Sequence, residues 1–181
     1  MENKLSEAKY ILSDNQITIA GRTLYRIQAR MDFGNVKAND FGGYVESQKN
    51  LSQSGKAWIT GDAMVYGQAI VYDDAYVTGE VQIYGNAEIC GSAIILDKVK
   101  VYGKAKIYEM AHISESAIIY GVARVFGEAV IKGKCWLYGN TWVYGKASVS
   151  GSAEVCGTSR VNGHAKVDGT MFVYGDQTIS E

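Results

Sequence analysis

Proline is absent from the 181 residues. Proline removes a backbone donor and fixes φ, so its absence suits a chain whose N–H groups are needed almost everywhere by inter-strand ladders. No apolar stretch approaches the roughly 18 residues of a membrane helix, and Met1–Glu7 lacks the apolar segment of a secretion signal. Neither membrane insertion nor classical secretion is expected. Charge of neither sign dominates: 18 basic and 19 acidic residues leave a net charge of −1. That balance offers no electrostatic footprint, so nucleic acid is not an expected partner. Histidine occurs only twice. Cysteine occurs three times, an odd number that points to a reducing, cytoplasmic setting.

Glycine, by contrast, is abundant at 21 residues, and its spacing is regular. Read from Gly55, residues 55–180 divide into 21 hexads with no insertion or deletion. Position 1 is Gly in 17 of them, the exceptions being Asp73, Asp97, Glu109 and Glu115. Position 3 is Ala in 14, and position 5 is Val, Ile or Leu in all 21.

Positions 3 and 5 lie two apart on an extended strand, so both face one side while position 4 faces the other. The branched aliphatic at position 5 fills an interior, and the small residue at position 3 suits a crowded spot beside it. Gly followed by Asn, Lys, Asp or Ser is turn chemistry. A short strand and a bend every six residues are too closely spaced for a sandwich. They fit a solenoid whose coils pair edge to edge.

The pattern V-x-G-x-A-x, read from the aliphatic, resembles the hexapeptide repeat of left-handed parallel β-helix proteins. The resemblance implies an all-β, single-stranded, triangular β-helix with three hexads per 18-residue coil. The left hand comes from the resemblance, since the general crossover rule favours the right. Residues 55–181 would form about seven coils, a rod of about 34 Å at the ladder spacing.

Residues 1–54 lack the period and read as a small N-terminal cap, because a solenoid needs a lid over its first coil. Ile17–Ala20 and Thr23–Ile27 suggest a hairpin about a two-residue Gly21-Arg22 turn. Together with Asp32–Lys37, Gly42–Glu46 and Asn50–Gln53, this segment is similar to the N-terminal section of YdcK-like β-helix proteins. Those proteins carry a transferase label, which speaks for fold more than for chemistry.

In such a coil every eighteenth residue stacks. On the second side, position 6 reads Tyr66, Tyr84, Tyr102, Tyr120, Tyr138, Cys156 and Tyr174. Stacked aromatics would stiffen the rod. Outward position 4 adds Met64, Ile118, Trp136 and Phe172 on the same side. This suggests a contiguous apolar patch, and hence an interaction surface for a protein partner. Cys90 and Cys156 fall four coils apart, about 19 Å, beyond disulfide reach. Cys135 takes an inward position 3 as a small hydrophobe. No metal site is expected.

Many hexapeptide-repeat proteins are acyltransferases with a catalytic His, an acyl-coenzyme A crevice and often a projecting loop. Here the hexads run without a projecting loop. His112 has Ile94 and Val130 as column neighbours, so no carboxylate orients it. His164 falls at a turn near Lys146. The glycines recur as corners and do not open a helix, so they make no phosphate loop. Lys98, Lys100, Lys104 and Lys106, with Arg124 and Arg160, form a basic stripe that Glu88 and Asp176 interrupt. The threonine pair Thr60 and Thr78 stops short of an ice-binding array.

The expectation is therefore a non-enzymatic, cofactor-free solenoid used as a rigid interaction or structural module. The family resemblance suggests phage or prophage association. Alternatives are a divergent acyltransferase using acyl-coenzyme A, or a nucleic-acid-binding or inhibitory phage protein. At the far end, Val167, Met171, Val173 and Ile179 would lie at the exposed mouth of the core. This suggests a homodimer through residues 163–181.

Overall fold

The computed structural model describes residues 8–181. It is all-β, with one 3-10 turn, and no helix among the described residues is long and apolar enough to cross a membrane. Three strands come first: β1 (Tyr10–Ile19), β2 (Arg22–Ala29) and β3 (Phe41–Val45). The first regular coil follows, with β4 (Trp58–Ile59), β5 (Met64–Val65) and β6 (Ile70–Val71) on three successive sides. β4 and β6 each begin a parallel sheet and β5 continues the sheet of β1–β3, and in all three the later strands recur every eighteen residues. The result is a triangular parallel solenoid of the left-handed type the resemblance implies.

Every position-5 residue from Ile59 to Val173 is buried, and the position-3 alanines lie beside them in one continuous core. The coils are joined by one repeated ladder. The N–H groups at positions 2, 4 and 6 donate to carbonyls of the next coil, as in Asp62 to Gly79 (2.9 Å), Met64 to Val81 (2.8 Å) and Tyr66 to Ile83 (3.0 Å). Those donors are what the absence of proline protects.

The corners are left-handed throughout. Asp73, Asp97, Glu109 and Glu115 take φ between 59° and 65°, the same region as the corner glycines. A non-glycine residue there costs about 1 kcal/mol. Three of these acids gain a contact that glycine could not make. Asp73 accepts the N–H of Gly91 (3.2 Å), Asp97 that of Glu115 (2.9 Å) and Glu109 that of Gly127 (2.9 Å), in each case one coil on.

The winding begins before Gly55, and the solenoid has about eight turns where the hexads alone suggest seven. β3 pairs in parallel with β5, placing Val45 beside Val65, and Leu51 bridges to Val71. Gly42 and Gly43 permit this approach: a Cβ on Gly43 would lie 2.5 Å from the Ala63 carbonyl oxygen, and one on Gly42 2.6 Å from that of Ile59. Where the 3-10 turn (Gln48–Asn50) interrupts the ladder, the Asn50 amide donates to the carbonyls of Ala69 (2.8 Å) and Gly67 (3.1 Å).

β1 and β2 extend the second-side sheet as an antiparallel hairpin. Its turn is Ala20-Gly21, one residue earlier than expected. Ile19 pairs with Arg22, and both turn residues have positive φ (48° and 73°), as a type I′ turn requires. On the first side β4 is the outermost strand, and side chains take over from a ladder. Lys9 Nζ donates to the Ala57 carbonyl there (3.0 Å), and on the third side the Tyr10 hydroxyl donates to that of Leu51 (2.6 Å). Burial lowers the Lys9 ammonium pKa to about 8 and raises that of the Tyr10 phenol.

Candidate functional site

The second side was the expected interaction surface, and its outward residues sit on strands one ladder rung apart. Ile118 pairs with Trp136, Trp136 with Glu154, and Glu154 with Phe172. Trp136, Phe172 and Tyr174 are about half exposed, at 48%, 52% and 54%. Phe172 and Tyr174 stack on each other, with centroids 5.1 Å apart.

The patch is divided. Glu154 stands between Trp136 and Phe172, and its carboxylate accepts a hydrogen bond from the Tyr138 hydroxyl. That bond is the main reason the Tyr138 phenol pKa is raised. Gln82 and Lys100 separate Met64 from Ile118. Ile118 and Trp136 therefore form one apolar spot, and Phe172 and Tyr174 another.

Tyr102, Tyr120 and Tyr138 belong to a ring stack running from Tyr66 through Tyr84, with centroid spacings of 4.9–5.1 Å and planes within 10°. Their faces are occupied by one another. Cys156, next in this column, is buried. The third side has a shorter stack, Tyr108, Phe126 and Tyr144. There Trp142 is flanked by the Arg124 and Arg160 guanidiniums, 5.0 and 5.4 Å from its ring centre. Three lysines along the coils meet acids: Lys98–Glu80 (3.2 Å), Lys106–Glu88 (2.8 Å) and Lys146–Glu128 (3.7 Å).

In the last coil Val167 and Val173 are buried, Ile179 is partly buried and Met171 is exposed. His112 lies between Ile94 and Val130, and His164 is exposed. Cys135 is buried, and desolvation raises its thiol pKa to about 11. The described residues contain no group of three or more His, Cys, Asp or Glu placed to hold a metal ion.

On the first side the sequence drew attention to His112 and its neighbours Ile94 and Val130, and not to Trp58 and Tyr76 in the same column. That outward column begins Trp58, Tyr76, Ile94, His112 and Val130 and continues to Ser148 and Lys166. The eighteen-residue spacing that exposed the tyrosine column would have exposed this one too.

The fold and surface together define a parallel β-solenoid with aromatic columns along its corners. No protein-family model matches the sequence, and comparison with curated proteins returns no match.

Proposed function

We propose that the protein is a non-enzymatic solenoid that presents a rigid surface to a protein partner. The observation that carries this reading is the pair of exposed apolar spots on the second side, around Trp136 and around Phe172. Half-exposed tryptophan and phenylalanine on a stiff sheet are the kind of side chain from which interface energy comes. His112 does not favour acyl transfer: it has aliphatic neighbours on both rungs and no orienting carboxylate among them. The YdcK-like kinship, the phage association and the cytoplasmic setting enter this proposal through the sequence resemblance and composition alone.

The test compares wild-type protein with Trp136→Glu as immobilised bait in a lysate of the producing cells. The expected result is a protein retained by the wild type and lost from the variant, with equal melting temperatures. Retention of the same proteins by both would remove the second side from the account. A calorimetric titration with acetyl-coenzyme A is expected to give no heat of binding; saturable binding would favour the acyltransferase alternative.

A further inference from the structure

Residues 32–41 form a short arm beside the first side of the solenoid. Between this arm and the outward face of β4 run two clefts of about 310 and 230 Å³, which share Asn35, Val36, Trp58 and Tyr76 and so form one groove. Trp58 is the floor. Phe33 and Tyr10 hold it edge to face, at 5.3 Å and 74° and at 6.4 Å and 68°. Tyr76 and Phe41 are exposed at 40% and 51%, and both line the groove.

The arm is held in shape before any ligand arrives. Phe33 and Val36 exchange backbone hydrogen bonds of 3.0 and 2.8 Å across a turn at Gly34. Asp32 accepts from the Ala38 N–H and from Lys37 Nζ, each at 2.9 Å, and Asp40 accepts from the Lys37 N–H at 2.8 Å. A wall fixed in this way loses little further freedom on binding, which favours even a shallow site.

The polar groups around the aromatics are uncharged or acidic, Lys56 excepted. The Asn35 amide, the Thr60 hydroxyl and the Tyr76 hydroxyl line the first cleft. Lys56 and Asp74 face the second cleft with opposite charges, and Asp40 lies at the first. An anionic ligand would gain nothing here. A purely apolar ligand would strand the amide and hydroxyls.

We propose that this groove binds a neutral sugar unit of a glycan. The exposed side chains of Tyr76 and Phe41, the latter with the Arg26 guanidinium 5.7 Å from its ring centre, offer apolar surface to the C–H side of a pyranose, while Asn35, Thr60 and Asp40 meet its hydroxyls as donors and acceptors. Ile94 stands exposed one rung beyond Tyr76 on the same side, so a linked second unit would lie over it. The site lies on a different side from Trp136, and it stands or falls separately from the protein-partner reading.

The test is a titration of the full chain with neutral hexasaccharides of α-glucose, β-glucose, β-galactose and β-N-acetylglucosamine, followed by tryptophan fluorescence and calorimetry. At least one is expected to bind with a Kd at or below the millimolar range. Tyr76→Ala and Asn35→Ala are each expected to weaken that binding by about tenfold or more, while Trp136→Glu binds as wild type does. Because Asn35 is exposed, its variant keeps the test valid if Tyr76→Ala disturbs folding. Absence of binding by all four sugars, or binding indifferent to Asn35→Ala in a folded protein, would overturn the proposal.

Discussion

Tyr102 and Tyr120, eighteen residues apart, stack with ring centroids 4.9 Å apart and planes within 7° of parallel. Tyr102 has a second such neighbour in Tyr84, also at 4.9 Å, so both of its faces are covered. A ring in that position contributes to the cohesion of three coils at once, and it offers only its edge to a ligand.

Tyr102→Ala is therefore expected to destabilise the protein by about 2 kcal/mol, from two lost stacking contacts and a loss of buried area. Tyr102→Phe keeps the rings and is expected to melt within about 0.5 kcal/mol of wild type. Tyr174→Ala removes a single stacked neighbour at an exposed site and is expected to cost less than Tyr102→Ala. Urea denaturation of the three variants checks the order.

The corner acids make a separate prediction. Asp97 has φ of 65° and accepts the Glu115 N–H. Asp97→Gly loses the hydrogen bond but relieves the backbone, whereas Asp97→Ala loses the bond and keeps the strain. The alanine variant is expected to be less stable than the glycine variant by about 1 kcal/mol. Equal thermal melts would mean that the corner is indifferent to φ.

Lys9 gives the protein a pH dependence with a definite sign. Below its folded pKa of about 8 the ammonium is charged in both states, and the fold carries a desolvated charge. From there up to the unfolded value of 10.5 the unfolded chain holds the proton more tightly, so stability rises with pH. The difference between wild type and Lys9→Met is expected to shift in favour of wild type by about 2 kcal/mol between pH 8 and 10. Above that range the raised tyrosine pKa values, Tyr10 among them, oppose the trend, because the unfolded chain loses those protons first. Urea titrations of both proteins across this range measure the shift.

The solenoid was legible because each hexad repeats one physical demand: a branched side chain at position 5 and a small one at position 3. The earliest coil escaped for an equally physical reason. Val45 and Leu51 keep the six-residue step, but the step from Leu51 to Ile59 is eight, and Gly43 packs where the repeat has alanine. The Ala20-Gly21 turn was misplaced by one residue because alanine at positive φ carries no local signal. The division of the second side by Glu154 could be counted from the columns. The groove beside Trp58 could not, since the arm that forms its wall lies outside the period.

The most direct test of the architecture compares two adjacent residues in a central coil. Ile107 is fully buried, while Lys106 faces outward and pairs with Glu88 at 2.8 Å. Ile107→Asp places an unpartnered charge in the core and is expected to cost at least about 4 kcal/mol, enough to threaten folding. Lys106→Gln removes one exposed ion pair and is expected to cost less than about 1 kcal/mol. Thermal melts of the two variants under one condition decide it: a collapse of the first with near-wild-type behaviour of the second is the predicted result, and comparable losses in both would contradict the solenoid register.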